Sequence, residues 1–336
     1  MKKYLLPPTG DFYKTNLHCH TTFSDGKTTP EQVKDYYKKH GYNAIAFTDH
    51  DILIAHDELN DDEFIALHGF EVEINESAPT GTPFKFIKTC HICFVALEPD
   101  NMVQPLWHRS KYLFGHAPEH RNEVIFDENE PDFEREYTGE RISEMMRIGR
   151  EKGFFVTYNH PTWSMESYPE YTGYNGMYAM EIINHECCTA GYDDHNERVY
   201  DDMLRAGKRI YCIAADDNHN YDSMCGGFTM IKADKLEYKA LTDALVKGNF
   251  YCSEGPEIKE LWIEDGKVHI ETSEAAEIRI NYGYRRAARV IEKDGIAVTD
   301  ATFPFDTDDI YFRITVKDKS GKFAYTNAYF IDELTL

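Results

Sequence analysis

The stretch "NLHCHTTFSDG", residues 16–26, sets two histidines two positions apart and follows them with an Asp-Gly turn. "TNLHCH" predicts a strand, and because side chains alternate across a strand, His18 and His20 share one face. A single pair of this kind also describes a half-exposed strand and a turn without chemistry. It becomes informative when the same event recurs: a polar, ligand-competent residue closing an apolar strand.

Working outward, the event does recur. "NAIAFTDHD" carries His50 at its end, "EFIALHGFEVEI" carries Glu71, "FFVTYNHP" carries His160, and "IYCIAADDNH" carries Asp217 and His219. His91 lies mid-strand in "FIKTCHICFVAL", and "YAMEIINHE" is a further strand. Between these runs the period changes to that of helices. "TTPEQVKDYYKKHG" has Thr29 as N-cap, Pro30 at the first helical position, Gln32 reaching back and Gly41 as the stop. "GERISEMMRIGREKG", "ERVYDDMLRAGKR" and "EYKALTDALVKG" are the others. Such alternation predicts a parallel α/β barrel or sheet with its chemistry at the carboxyl ends of the strands.

After "YCSEGPEI" the pattern shifts to short alternating runs, "KVHIETS", "EIRINYG", "RRAARVIE", "DDIYFRITVKD" and "KFAYTNAYFI", parted by hairpin turns such as "EDGK". The expected organisation is a barrel over residues 1–256, interrupted by a polar insert at 98–138, and an all-β sandwich over 257–336.

The balance of 36 basic against 59 acidic residues gives a net charge of −23. Such a field repels long polyanions, which argues against extended nucleic acid and anionic membrane surfaces. A small phosphorylated substrate stays compatible, because bound cations reverse the local potential. The eight cysteines form no dense disulfide framework, and "CHIC" at Cys90–Cys93 reads as buried strand rather than a redox pair. "MKKYLLPPTGDFY" has no signal-peptide core and no later run is long enough to span a bilayer, so a cytoplasmic protein is expected. A homo-oligomer is left open.

Burying so many unpaired His, Asp and Glu side chains would cost about 1–3 kcal/mol for each unsatisfied group, a penalty that metal coordination removes. Nitrogen and oxygen ligands without a thiolate suit Zn, Mn or Fe alike. No G-x-S-x-G motif supplies a serine nucleophile.

The pieces "HCHTTFSDG", "FTDHD", "GFEVEI", "CHICF", "YNHP" and "AADDNH", in this order, resemble the PHP (polymerase and histidinol phosphatase) family of metal-dependent phosphoesterases. "MLRAGKRIYCIAADDNH" and "GNFYCSEGPEI" are similar to a branch with a C-terminal β-sandwich, which also includes a carbamate hydrolase. The resemblance implies a distorted (β/α)7 barrel with two to three divalent metals at its mouth. His18 and His20 would hold the first with Glu71 and Asp217. Glu71 would bridge to a second held by His91 and His160, and Asp25, His50 and His219 would hold a third. The G-x-E pattern favours Glu71 over Glu73, and the D-x-H spacing favours Asp217 over Asp216. Asp49, Asp51, Asn159 and Glu181 would orient the ligands.

The implied activity is phosphoesterase hydrolysis of a small-molecule mono- or diester by a metal-bridging hydroxide, with no other catalytic side chain required. The same centre would also suit a carbamate or carboxylic ester, and a metal-binding interaction module with little catalysis is the non-enzyme alternative. Within the insert, "PLWHRSKYLFGHAPEHR" is basic and aromatic: either a lid whose Arg109, Lys111 or Arg121 contacts phosphate, or an excursion packing its own Trp107 and Phe114. Trp163, Tyr168 and Tyr171 follow His160 as a wall that could stack on a ring, and His185 is a further substrate contact.

Overall fold

The expected first helix forms as its caps dictate. Thr29 accepts from the Gln32 amide while the Gln32 side chain accepts from the Thr29 amide, and Gly41 turns the chain away at φ 78°. The computed structural model describes residues 2–334; Met1, Thr335 and Leu336, at the outer ends of the two expected domains, lie outside the described residues.

In chain order the first part runs β1 (Lys3–Tyr4), β2 (Asp11–Asn16), α1 (Pro30–Lys39), β3 (Ala44–Phe47), β4 (Ile65–Asn75), β5 (Thr89–Ala96) and α2 (Gly139–Glu151). It continues through β6 (Phe154–Asn159), α3 (Tyr168–Gly173), β7 (Ala179–Asn184), α4 (His185–Thr189), α5 (Glu197–Arg205) and β8 (Tyr211–Ala215). β9 (Phe228–Ala233), α6 (Tyr238–Lys247) and β10 (Phe250–Ser253) complete it. The strands after them are β11 (Ile258–Glu264), β12 (Lys267–Ala275), β13 (Glu277–Tyr282) and β14 (Ala287–Ile291). Last come β15 (Val298–Pro304), β16 (Tyr311–Lys317), β17 (Phe323–Thr326) and β18 (Tyr329–Phe330).

One large sheet runs β14-β13-β16-β17-β10-β9-β2-β3-β4-β5-β6-β7-β8. The expectation of a parallel barrel needs correction: this is a mixed α/β fold with few helices and a mostly antiparallel sheet. Among the strands of the described residues, only β2/β3, β3/β4, β6/β7 and β7/β8 pair in parallel. β5 runs antiparallel to both its neighbours. The reason lies in the connections. The 76–88 link holds one 3-10 turn and no helix, and a link of that kind returns the chain hairpin-fashion. Side-chain alternation marks a strand without revealing its direction.

The opening motif differs in one respect. β2 stops at Asn16, so His18 and His20 lie on an extended segment beyond it rather than on the strand. That segment bonds to the one after β8: the Asp217 amide donates to the His18 carbonyl at 2.9 Å and the His20 amide to Asn218 at 3.1 Å. Ligand-competent ends of two distant strands are thereby laid side by side.

The core is built as the patterns require. Ile142, Met145 and Met146 of α2 pack with Phe94 and Val156 of the sheet, and Leu241 and Leu245 of α6 pack with Phe155 and Ile213. Residues 98–138 contain a 3-10 turn and an isolated bridge between Val103 and Ile125, and they bury Trp107 in a small cluster with Ile52, Ala117 and Val124. A second, four-stranded sheet has the order β1-β11-β12-β15, so the N-terminal segment pairs with the C-terminal strands. Leu261, Ile263, Val268 and Ile270 from this sheet share one core with Ile278, Ile280, Ile314 and Val316 from the large one. Arg313, 1% exposed, ties β16 to α5 through Asp201 at 2.7 Å and Glu197 at 2.9 Å. Among the described residues no helix is long and apolar enough to cross a membrane.

Candidate functional site

The strand ends and the segments that follow them converge on one buried cluster. Glu71, inside β4, occupies its middle: His18 Nε2 and His91 Nδ1 each stand 3.1 Å from Oε1, and His160 Nε2 stands 3.5 Å from it. The other oxygen, Oε2, lies 3.3 Å from His20 Nε2 and 3.4 Å from His50 Nδ1. Asp217 Oδ1 faces His18 at 3.2 Å and His20 at 3.1 Å, while Oδ2 is 3.7 Å from His160. Asp25 stands 3.3 Å from His219, 3.6 Å from His20 and 3.9 Å from His50.

Three sets of donor atoms are close enough to share an ion: His18, His160 and Asp217; Glu71, His91 and His160; and His20, Asp25, His50 and His219. His20 thus belongs with the Asp25 set as well as facing Glu71 and Asp217. A fourth set joins His18 and Glu71 to Cys93, so a thiol adjoins a site whose sequence signature is nitrogen and oxygen only. Its signal was available: Cys93 follows His91 by two on one strand and so shares its face.

Local backbone chemistry delivers these groups. In the "SDG" turn, Gly26 sits so close to the His20 carbonyl that a Cβ would meet it at 2.6 Å, which makes the turn depend on glycine and carries Asp25 to the cluster. His160 and Asp217 adopt left-handed φ values of 27° and 53°. Conformations that costly persist at sites where the surroundings over-determine them.

Electrostatics favours a cation here. His18 Nδ1 lies 2.7 Å from Glu181, whose other oxygen accepts from the His160 amide at 3.0 Å. With Nδ1 donating, a neutral His18 turns the lone pair of Nε2 toward the carboxylates of Glu71 and Asp217, acceptor against acceptor. Burial resists protonating His18, yet Asp217 and Glu71 hold its pKa well above the ordinary value. Burial likewise opposes the charge on His91, and Glu71 with Glu73 pushes it up to about 10. Burial and the neighbouring His20 push His50 down to about 3. Protons alone leave the geometry unfinished: His20 Nδ1, His50 Nδ1, both His91 nitrogens and Asp217 Oδ1 are buried without a hydrogen bond. Buried polar atoms are normally paired, so this many orphans at one point fit a metal-ligand set.

The supporting residues act in different ways. Glu181 touches His18 and His160 directly. Asn159 donates to Glu71 at 3.0 Å and to Cys93. Asp49 holds the turn instead of an imidazole, accepting from Thr21 at 2.7 Å and Ser24 at 2.6 Å. Asp51, at φ 62°, pairs with Arg135 of the insert. Sequence reasoning missed Asn184, which caps α4 and bridges Glu181 at 2.9 Å to Asp217 at 3.1 Å. It also missed Ser164, 3.2 Å from His160 Nδ1, and Glu73, set aside there in favour of Glu71, stands 3.4 Å from His91 Nε2.

A cavity of about 310 Å3 opens over the cluster, walled by Phe84, Phe114, Trp163, Glu186 and Cys187. Trp163 stands edge-on to His91 and His160, with ring centres 5.4 and 5.1 Å away. The insert reaches the cavity through Phe114, which lies 4.3 Å from the His50 ring. Its cations do not line the cavity. Arg109 pairs with Asp132 at 2.7 Å, Lys111 with Glu134 at 2.6 Å, and Arg121 with the Arg109 carbonyl. Tyr168 is exposed and Tyr171 bonds Asp202 at 3.3 Å, both away from the wall. His185 lies against Gly226, where a Cβ would overlap its ring, and also lies outside the wall.

A model of the PHP domain family matches residues 16–293. The chain belongs to the PHP domain family. No curated protein matches it. Among solved structures, it is similar to a two-domain protein from Bacteroides vulgatus containing a predicted PHP-like metal-dependent phosphoesterase. That likeness has 14% identity over 97% of this chain and 98% of the other, at TM-score 0.43. An inferred metal-dependent phosphoesterase from Bifidobacterium adolescentis shares 15% identity over 64% of this chain and 89% of that one, at TM-score 0.36. An amidohydrolase from Chromobacterium violaceum, with bound sulfate and no metal, shares 14% identity over 62% and 88%, at TM-score 0.36. Membership rests on the family model and not on these likenesses.

Proposed function

We propose that this PHP-domain protein is a metal-dependent hydrolase acting on a phosphate mono- or diester of a small molecule. The observation that carries the reading is the cluster itself: imidazole and carboxylate acceptors facing one another, buried, at the foot of a cavity in a PHP-domain chain. In this reading His18, His20, Glu71 and Asp217 hold one ion, Glu71, His91 and His160 a second, and Asp25, His50 and His219 a third; Zn, Mn and Fe all suit the donors. Divalent cations bound there would lower the pKa of coordinated water and take up charge on the substrate oxygens.

The chain's own residues do the rest. Glu181 fixes the His18 tautomer. Phe84, Phe114 and Trp163 would form the apolar wall beside the reacting group. Among the cavity-wall carboxyls, Glu186 is the one that no histidine faces, and its Oε2 is buried without a partner. We assign it the proton for the leaving alcohol. The strands from β2 to β8 would form the distorted (β/α)7 barrel, within a catalytic unit over residues 1–256. Residues 257–336 would form a β-sandwich with a structural role, a reading supported by the shared apolar core of the two sheets.

The test pairs elemental analysis of protein purified without chelator with hydrolysis of aryl and alkyl phosphate mono- and diesters. Two or three ions per chain with turnover are expected. Ions with carbamate or carboxylic ester turnover alone would move the reaction to carbonyl carbon, and a metal-free protein after Mn and Zn reconstitution would end the reading. Glu186→Gln should lower kcat for alkyl esters by about 100-fold and spare aryl esters, whose leaving groups need no proton.

A further inference from the structure

Outside the metal site, one cluster sets a thiol, an imidazole and a carboxylate in series. Cys188, near the end of α4, has its Sγ 3.8 Å from His195 Nδ1, and His195 Nε2 lies 3.4 Å from each oxygen of Glu254. The backbone fixes two of the three. His195 forms an isolated bridge with Ile183 of β7. Glu254 follows β10, where its Oε1 accepts from the Phe323 amide at 2.9 Å and its own amide donates to the Phe323 carbonyl at 3.0 Å. The Phe323 ring stands edge-on to His195, with centres 6.0 Å apart. Glu186, Cys187 and Ala190 wall the metal cavity, whereas Cys188 bonds His195 and is no part of that wall.

Surroundings distinguish this thiol from the other seven. Cys19, Cys90, Cys93, Cys187, Cys212 and Cys252 are buried. Cys225 is half-buried, but burial and the nearby Asp216 push its pKa up to about 12, which keeps it a thiol at neutral pH. Cys188 is half-buried too, and the side chains of His195 and Glu254 are 31% and 15% exposed, so solvent reaches the cluster. Cys188 and Glu254 push the His195 pKa up to about 10, against the opposing effect of burial. Asp193 also faces the ring, 3.8 Å from Nδ1, but its side chain is 96% exposed and its charge is screened by solvent. An imidazolium held beside a cysteine favours the thiolate, the form that reacts.

We propose that Cys188 is a modification site, a nucleophilic thiol that exchanges with small-molecule disulfides, with His195 as its base and Glu254 as a positioning residue. The Sγ proton passes to His195 Nδ1, and Glu254 accepts from Nε2–H of the imidazolium. The thiolate attacks one sulfur of the disulfide, so that a new S–S bond to Cys188 forms as the old one breaks. The departing thiolate takes the proton from Nδ1 and leaves as a free thiol. One protein thiol and one disulfide become one mixed disulfide and one thiol, with no other oxidant. The inference stands on this cluster alone and is independent of the hydrolase reading.

The test incubates the metal-loaded full chain with bis(2-hydroxyethyl) disulfide, an uncharged probe, and locates the adducts by peptide mass mapping. Cys188 should react ahead of Cys225, and at pH 6 about tenfold faster than the cysteine of an unstructured peptide. His195→Gln should lower the pH 6 rate by about tenfold and the rate at pH 10, where ordinary thiols ionise unaided, by less than about twofold. Glu254→Gln keeps an acceptor for the Phe323 amide but loses the charge, and should lower the pH 6 rate by about threefold. If His195→Gln loses its fold, which adducts on the six buried cysteines would reveal, the Glu254→Gln rate decides. Reaction at Cys225 ahead of Cys188 would overturn the inference. A pH 6 rate no faster than the peptide's, or folded variants as fast as the wild type at that pH, would overturn it as well.

Discussion

Two buried charged clusters in this molecule invite comparison. At the junction of α5 and β16, Arg313 is enclosed by Glu197, Asp201 and Thr315, and each of its nitrogens has an acceptor within 3.0 Å. At the strand ends, six histidines surround Glu71, Asp217 and Asp25, and five of their buried nitrogens and oxygens have no hydrogen bond. The first cluster meets the cost of burying charge from within the chain; the second leaves part of it unmet by the chain's own groups. A cluster that satisfies itself is structural. One that leaves orphans converging on a point is complete only when something else arrives.

The comparison breaks first if the strand-end cluster can be emptied without consequence. His20→Ala or Asp217→Ala should abolish metal retention and lower hydrolysis at least about 1,000-fold, equivalent to about 4 kcal/mol of transition-state stabilisation. Far-UV circular dichroism should barely change, since backbone ladders and apolar cores hold the strands. Turnover surviving in metal-free variants would show the cluster to be decorative. Arg313→Ala should behave in the opposite way. It leaves Glu197 paired with Arg279 alone and Asp201 with the more distant Arg205, so the denaturation midpoint should fall by the equivalent of about 1–3 kcal/mol, while metal per folded molecule stays constant.

Glu181→Gln gives a smaller, graded effect. Loss of the carboxylate behind His18 should weaken metal affinity about 10–100-fold, read by chelator competition. An unchanged affinity would reduce Glu181 to a partner of the His160 amide. The smallest expected effect is on pH dependence. Burial raises the Glu197 pKa, but Arg313 and Arg279 prevail and hold it below the usual carboxylate range. The folded value therefore lies below the unfolded one of about 4.3. Its contribution is complete above that pH and is lost as pH falls through the lower folded value. Urea midpoints should decline more steeply below about pH 4 in the wild type than in Glu197→Gln. Parallel declines would mean that the cluster is less tightly paired than its distances indicate.

Much of this was readable along the chain. Thr29, Gln32 and Gly41 announce α1 because a capping box and a left-handed stop act within a few residues. The motifs carrying His18, His50 and Asp217 were legible for a related reason: each ligand-competent residue follows an apolar run and so breaks a local pattern, whereas Glu71 was expected near a strand end and lies inside β4. Strand direction was not legible, which is why β5 was expected to run parallel. β9, β11 and β15 went unnoticed as strands beside more strongly marked neighbours. The insert's cations looked available for phosphate only because Asp132 and Glu134, their partners, lie more than twenty positions away in sequence.

What the sequence alone determined is the inventory: which residues cap, turn, alternate and carry ligand-competent atoms, since those properties depend on near neighbours. What the tertiary structure alone decided is which of these groups find partners. Arg313 meets Glu197 and Asp201 across more than a hundred residues and is satisfied, whereas His20, His91 and Asp217 meet and are not. Pairing depends on positions in space to within an ångström, and only the packed chain sets those.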